Sequence, residues 1–335
     1  MEIGESIVSS VILHKVGNRL REEPLVLADN CFSVTSNISN LILGGFLRGI
    51  VNSKNQYLLS HESDMALNDI AYHVSSFFSK KDTFIQLSEK LARHLYACAH
   101  HPNIASGDLF IILFDNLKVG DTYKSAIGIY KAESKQQYLS TEMNGKIHKL
   151  EVSTGINPDL IDKGALIVEG SEIIYAVDRV SSRTKYWIDD FLKAKQIPNE
   201  TIKSAIAVDL IEKVSRNIEN PVERQKFSKE VVNLCSVTDA VRSEDIKDIS
   251  LQYVSSDILV GELDRIVERK GLVNFDDFSI STKRLKAKLK KVFNRINLGN
   301  DIALIIPEGL LFSNVHFNTD HQSVTITVIL EKSNG

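Results

Sequence analysis

Residues 107–152 read GDLFIILFDNLKVGDTYKSAIGIYKAESKQQYLSTEMNGKIHKLEV, and this stretch decides the fold. Asp108–Phe114, Ser125–Ala132, Gln137–Thr141 and Lys146–Val152 are short apolar or alternating runs with turn-forming residues between them, the pattern of β-strands. Asn144-Gly145 is the strongest hairpin signal in the chain, because both residues tolerate the positive φ of a type I′ turn. Downstream, Gly164–Glu169 and Glu172–Val177 meet at Gly170-Ser171 and read as a further hairpin. Consecutive strands joined by tight turns predict an antiparallel meander.

Upstream of this region, Ile7–His14 is apolar and rich in β-branched residues, an opening strand. Ser36–Ile50, Asp64–Ser79 and Asp82–His100 follow helical periodicity; Asp82 is the expected N-cap of the third, and Pro102 stops it. The Gly44-Gly45 pair should weaken or bend its helix. Without a GxGxxG or GxxxxGK[ST] context it signals close packing, not a phosphate-binding loop. Residues 1–180 are therefore expected to form an α+β domain whose antiparallel sheet is covered on one face by the earlier helices. Ser181–Arg183 reads as a joint. Beyond it the chain turns helical over Thr184–Lys195, Glu200–Ile218, Val222–Cys235, Ser243–Val254 and Asp257–Lys270, with Asn220-Pro221 and Ser255-Ser256 as breaks. Asp301–Ile306, Leu310–Phe317 and Ser323–Leu330 alternate like strands, so residues 181–335 are expected to be mainly helical and to end in a small sheet.

One segment of that second half stands apart. Residues 281–297, STKRLKAKLKKVFNRIN, carry Lys283, Arg284, Lys286, Lys288, Lys290, Lys291 and Arg295 and no acidic residue. Leu285, Leu289, Val292, Phe293 and Ile296 recur at the spacing of one helical face, leaving the cations the rest of the circumference. Ser281 or Thr282 is the expected N-cap, and Gly299-Asn300 the expected stop. The chain has a formal net charge of −3, hence −10 without these seven cations, so the positive charge is local. A helix packed by its apolar stripe would present it to polyphosphate, an anionic membrane surface or an acidic protein. The same pattern also describes a solvated face with no partner.

The composition, 43% hydrophobic and 25% charged with six prolines, is that of a globular protein able to bury substantial cores. Cys31, Cys98 and Cys235 lack CxxC spacing and are odd in number, so reduced, buried thiols in a cytoplasmic protein are expected. The start MEIGESIVSSVILHK has acids before its short apolar run, the wrong order for a signal peptide, and no stretch approaches the ~18 apolar residues of a membrane span. His94, Cys98 and His101 fall at i, i+4 and i+7 but lack the further close-spaced pair that a structural zinc site needs, so no metal is expected. No nucleophile elbow, HExxH, P-loop or kinase signature is present. Asp189-Asp190 and Asp276-Asp277 are adjacent pairs that point apart on a helix and do not make a catalytic dyad. No catalytic residue and no cofactor can be assigned.

Several blocks resemble the bacterial 37-kDa nucleoid-associated protein family (NdpA, or YejK-like). They are Gly107-Asp108-Leu109-Phe110, Lys163-Gly164-Ala165-Leu166-Ile167, Asp178-Arg179, Tyr186-Trp187 with Asp190-Phe191-Leu192, Gly299-Asn300-Asp301-Ile302 and Glu308-Gly309-Leu310-Leu311. Each block is degenerate; their order and spacing carry the likeness. The resemblance implies a non-enzymatic protein of the nucleoid that binds double-stranded DNA and interacts with type II topoisomerase, with no catalytic residues to carry over. The family's helix before the terminal hairpin is not always so lysine-rich, so the basic face is either this member's own strengthening of DNA contact or a feature unrelated to the family's function. Lysine dominance fits point-charge contact with phosphates, where guanine reading would use arginine forks. Sequence-tolerant DNA contact through Lys283, Arg284, Lys286, Lys288, Lys290, Lys291 and Arg295 is thus the leading expectation. Docking of the same face on an acidic partner, such as a type II topoisomerase subunit, is the alternative. Helical hairpins such as Glu200–Cys235 offer surface for a homodimer.

Overall fold

The structure, a computed structural model, describes residues 1–61, 63–64, 67–144, 147–179, 185–273, 278–293, 295–299, 302–305, 310–319 and 324–332. It divides into two units at Ile197/Pro198, later than the break expected at 180. The expected joint at 181–183, Gly145 of the expected turn, and Asp276-Asp277 lie outside the described residues.

The first unit is built on strands β1 (Ile7–Val16), β2 (Leu25–Val26), β3 (Gln56–Leu59), β4 (Gly107–Val119), β5 (Thr122–Ala132), β6 (Gln136–Asn144), β7 (Ile147–Gly155), β8 (Lys163–Val168), β9 (Ile173–Asp178) and β10 (Ala194–Gln196). Eight of them form one sheet in the order β10-β3-β9-β8-β5-β4-β1-β2, every adjacent pair antiparallel. This is not a simple meander. The β6–β7 pair leaves the sheet as a separate two-stranded ribbon, and β1 and β3 join from outside the expected run.

The helices cover both faces of this sheet, not one. On one face Ile12, Leu109, Ile111, Ile127, Ile129, Ile167 and Ile174 pack against α3 (Asp69–Phe78) and α4 (Phe84–Cys98) through Ile70, Val74, Leu87, Leu91 and Leu95. On the other, Val11, Ile112, Phe114, Tyr130, Leu166 and Val168 meet Ile42, Phe46, Leu47 and Ile50 of the helical segment 36–52. That explains the unbroken apolar run LFIILF in β4 and the fully buried β8, since strands covered on both sides lose their alternation. Within residues 36–52, α1 (Ser36–Leu41) and α2 (Arg48–Asn52) flank a π-helical turn, Ile42–Leu47, that contains both glycines. Gly45 lies against Pro158, where an added Cβ would stand 2.6 Å from that residue's own Cβ. Thr83, not Asp82, caps α4, in a reciprocal capping box with Gln86. Asp82 instead accepts two hydrogen bonds from Lys90.

The helix expected over 184–195 is shorter. Trp187–Leu192 is helical, Lys193 adopts a left-handed φ of 48° that ends it, and Ala194–Gln196 become β10 on the free edge of β3. Tyr186, Trp187, Phe191 and Leu192 are buried in the α3–α4 side of the sheet, which is why the segment belongs to the first unit.

The second unit contains α5 (Glu200–Asn217), α6 (Pro221–Val237), β11 (Ala240–Arg242), α7 (Ser243–Ser250), α8 (Ser256–Lys270), β12 (Ser279–Ser281), α9 (Thr282–Phe293) and two hairpins, β13 (Arg295–Gly299) with β14 (Ile302–Ile305) and β15 (Leu310–Thr319) with β16 (Val324–Lys332). Its core gathers Ile206, Leu210, Ile211, Phe227, Val231, Ile246, Leu259, Ile266, Leu285 and Leu289. The expectation of an α+β protein with an N-terminal antiparallel sheet, a mainly helical second part and small terminal β-structure holds. Among the described residues no helix is long and apolar enough to cross a membrane.

Candidate nucleic-acid interface

The basic segment begins where β12, paired to β11 through Val241 and Ile280, runs directly into α9. Thr282 ties that start down, its amide and its hydroxyl both donating to Asp239 O at 3.1 and 3.0 Å. Leu285 and Leu289 are 0% and 2% exposed in the core shared with α5 and α6, so the apolar stripe does fix which way the helix faces. Lys283, Arg284 and Lys286 are exposed and Lys288 half-buried. Lys286 lies close enough to Cys235 on α6 to act electrostatically on its thiol, although burial dominates and pushes that thiol up.

The helix is shorter than its sequence pattern. It ends at Phe293, and Arg295, Ile296 and Asn297 belong to β13, paired with Ile305, Leu304 and Ala303. β-branched Ile296, opposite Leu304, and Ile305, opposite Arg295, suit a strand better than a last helical turn. Arg295 is therefore not on the helix with the other six cations. The side chains of Lys290, Lys291 and Arg295 lie outside the described residues.

Ion pairing sets these cations apart from many others in the second unit. Elsewhere in the second unit Lys203 pairs with Glu200, Arg216 with Glu212, Lys226 with Glu223, Arg242 with Asp245, Arg265 with Glu262, and both Arg269 and Lys270 with Asp209. Among the described residues no carboxylate pairs with Lys283, Arg284, Lys286 or Lys288. From Lys283 to Lys291 the helix rises about 12 Å, a length over which a duplex presents about seven phosphate charges.

A second charged cluster, which the sequence reading missed, sits inside the first unit. Lys131 Nζ donates to Ala105 O at 2.6 Å, to Tyr186 Oη at 2.9 Å and to Glu133 Oε1 at 3.0 Å. Tyr186 Oη donates in turn to Glu133 Oε1 at 2.9 Å. Lys163 Nζ donates to Asp178 Oδ1 at 2.6 Å, and the Tyr186 ring lies between the two ammonium groups, 5.3 and 5.0 Å from its centroid. Next to it Trp187 Nε1 donates to Gly164 O at 3.2 Å. Burial lowers the Lys131 pKa and raises that of the Tyr186 phenol, the neighbouring Glu133 adding to the latter. With side chains 0% and 1% exposed, Lys131 and Lys163 present no cation to a phosphate. Their chemistry is internal, joining β5, β8, β9 and the Trp187 helix. Lys163, Gly164, Asp178, Tyr186 and Trp187 all come from the blocks quoted for the resemblance, which places those blocks in this junction.

The remaining sequence candidates do not assemble. His94 Nε2 meets Phe191 O at 3.0 Å, Cys98 is buried at the end of α4, and His101 lies beyond that helix. Among the described residues no group of three His, Cys, Asp or Glu could hold a metal ion. Asp189 and Asp190 are exposed on the short helix. Of the three free thiols Cys98 and Cys235 are buried as expected, but Cys31 is exposed.

A search of curated proteins finds no match. The family described as nucleoid-associated protein YejK matches residues 12–332, nearly the whole of the 335-residue chain and both of its units. The chain belongs to the nucleoid-associated protein YejK family.

Proposed function

We propose that this protein acts in the nucleoid as a non-catalytic, sequence-tolerant binder of duplex DNA, with α9 as its principal phosphate contact. The observation that carries this reading is the contrast in ion pairing: many cations elsewhere in the second unit pair with carboxylates, whereas the described cations of α9 do not. Anchoring through Leu285 and Leu289 makes the helix a fixed ridge, so little side-chain or backbone ordering is left for the moment of binding. Lys290, Lys291 and Arg295 extend the surface in the proposal.

If all seven cations meet phosphates, log K falls with log salt at a slope of about −6. Changing Lys286, Lys288, Lys290 and Lys291 to Glu removes four contacts and about 3.6 from that slope. An anisotropy titration of a fluorescent duplex across salt concentrations measures this. Unchanged affinity and slope in the variant would overturn the proposal. A nuclease-resistant complex with a type II topoisomerase subunit, lost in the same variant while DNA affinity is retained, would assign the face to an acidic protein partner instead.

A further inference from the structure

Helix α3 and the β8–β9 hairpin enclose a groove of about 730 Å³ in the first unit, a volume within the roughly 300–1,000 Å³ of small-ligand sites. Its floor is apolar, formed by the buried Leu59, Val74 and Ile167. Two aromatic residues of α3 line its side, Phe78, half-buried, and Tyr72, 61% exposed. The rest of the wall is rich in hydrogen-bond acceptors. Ser75 and Ser79 bring hydroxyls, and α3 ends at Ser79 with the partial negative charge of its last carbonyls. Opposite them Glu169 and Glu172 flank the Gly170-Ser171 turn, one after β8 and one before β9. Neither carboxylate has an ion-pair partner among the described residues. Lys124 Nζ donates at 3.2 Å to the carbonyl of Glu169, not to its carboxylate. Like charges facing one another across a hairpin are destabilising, and a cation seated between them would remove that cost.

We propose that this groove binds a linear aliphatic polyamine. Such a molecule alternates ammonium groups with methylene segments, and the groove alternates in the same way, with acceptors along its walls above an apolar floor. Ammonium groups meet Glu169, Glu172 and the hydroxyls of Ser75 and Ser79, the faces of Tyr72 and Phe78 add cation–π attraction, and the methylenes cover Val74 and Ile167. From Ala71 to Ser79, both lining the groove, α3 rises about 12 Å, which suits an elongated ligand. A bare metal ion fits poorly, because it gains nothing from an apolar floor and no group of three His, Cys, Asp or Glu among the described residues could hold one. An anion is disfavoured by the two carboxylates and by the helix end. Lys81, two residues past the end of α3, is the one cation among the described residues that line the groove, and it opposes the ligand. The inference is independent of the DNA-binding proposal, which concerns the second unit.

The test is calorimetric titration of the full chain, free of DNA, with spermidine up to about 10 mM. Saturable binding to one site per chain is expected. Glu169→Gln combined with Glu172→Gln should weaken it by about ten-fold, the effect of two exposed charge contacts. Lys81→Ala should tighten it by about two-fold or more, the opposite sign. Ser75→Phe, at an exposed position of α3 that lines the groove, should block binding by filling the space. Trp187 fluorescence checks that each variant remains folded. Octanediol, an uncharged chain of similar length, should bind at least about ten-fold more weakly than spermidine. Absence of spermidine binding would overturn the proposal. So would binding unchanged in the double glutamine variant and in Ser75→Phe, which would mean adsorption elsewhere on the acidic surface. Equal affinity for octanediol would also overturn it, as would binding of a blocked pentapeptide alternating lysine and leucine in place of spermidine, which would assign the groove to a protein partner.

Discussion

Replacing Lys163 with Met tests whether the buried ionic cluster holds the first unit together. The substitution keeps most of the aliphatic stem but removes an ammonium that is 1% exposed and 2.6 Å from Asp178 Oδ1, leaving that carboxylate, 3% exposed, without it. At an effective dielectric constant near 20 the attraction across this distance is about 6 kcal/mol, much of it offset by the desolvation of both groups. The expected loss in stability is that of breaking a buried pair, about 3–5 kcal/mol, a large fraction of the ~5–15 kcal/mol of a folded domain. Trp187 is the only tryptophan and donates to Gly164 O beside Lys163, so urea unfolding followed by its fluorescence reads this unit alone. Lys163→Met with Asp178→Leu should recover most of the loss, because replacing both members of a buried pair by apolar groups is near neutral. Arg269→Met, at an exposed pair with Asp209, should cost under about 1 kcal/mol. A loss below about 1 kcal/mol for Lys163→Met, or a double variant no more stable than the single, would refute the reasoning.

Three further outcomes follow from the same structure. With a disulfide-exchange reagent at pH 8, one thiol should react in the native protein, the exposed Cys31, and all three in denaturant; burial keeps Cys98 pushed up to about 11 and Cys235 raised as well. The hydrogen bond from Lys90, with a second from Ser76, holds the Asp82 carboxyl below the usual range, so its stabilisation is present above the unfolded-state pKa and is lost as pH falls through the folded one; melting temperatures should decline from about pH 5 downward, and less steeply in Asp82→Asn. Gly45→Ala puts a methyl 2.6 Å from Pro158 Cβ and 2.7 Å from its backbone, which should destabilise by about 1–3 kcal/mol in the Trp187 assay.

The sheet was legible because its strands announce themselves in Asp108–Phe114, Ser125–Ala132 and the hairpin about Gly170, where a φ of 69° confirms the turn glycine. Its two-sided covering was also written in the chain, in LFIILF and GALIV, where alternation is missing. A one-sided sheet would have placed polar residues at every second position. The two strands at the β10 end of the sheet were not legible for a physical reason. Gln56–Leu59 and Ala194–Gln196 are short, and each forms a strand because a partner backbone is waiting, not because of local propensity. The same tertiary override cut the helix after Lys193 and moved the unit boundary to 197. It also ended the basic helix at Phe293, where pairing with Ile302–Ile305 takes Arg295–Gly299 into a strand.

What a lysine does in this protein depends on the two faces of the element that carries it. Lys283 and Lys286 flank Leu285 on a helix with one buried stripe, so turning the leucine inward turns both ammonium groups outward. Periodicity alone therefore located them. Lys163 opens a strand buried on both sides, and Lys131 closes one, so neither has an outward direction to take. Each is retained inside by oxygens from distant positions: Asp178 for Lys163, and Ala105, Glu133 and Tyr186 for Lys131. Those partners converge only once the strands are in register and the Trp187 helix is docked. No spacing rule in a single sequence reports that convergence. The signal that was present is a lysine directly adjoining the apolar run GALIV, followed by the aspartate that closes the next strand, a pairing that the antiparallel register Lys163↔Asp178 turns into contact. The lysines thus differ in physical role: Lys131 and Lys163 are used internally in joining strands to a helix, whereas Lys283 and Lys286 stay exposed on α9.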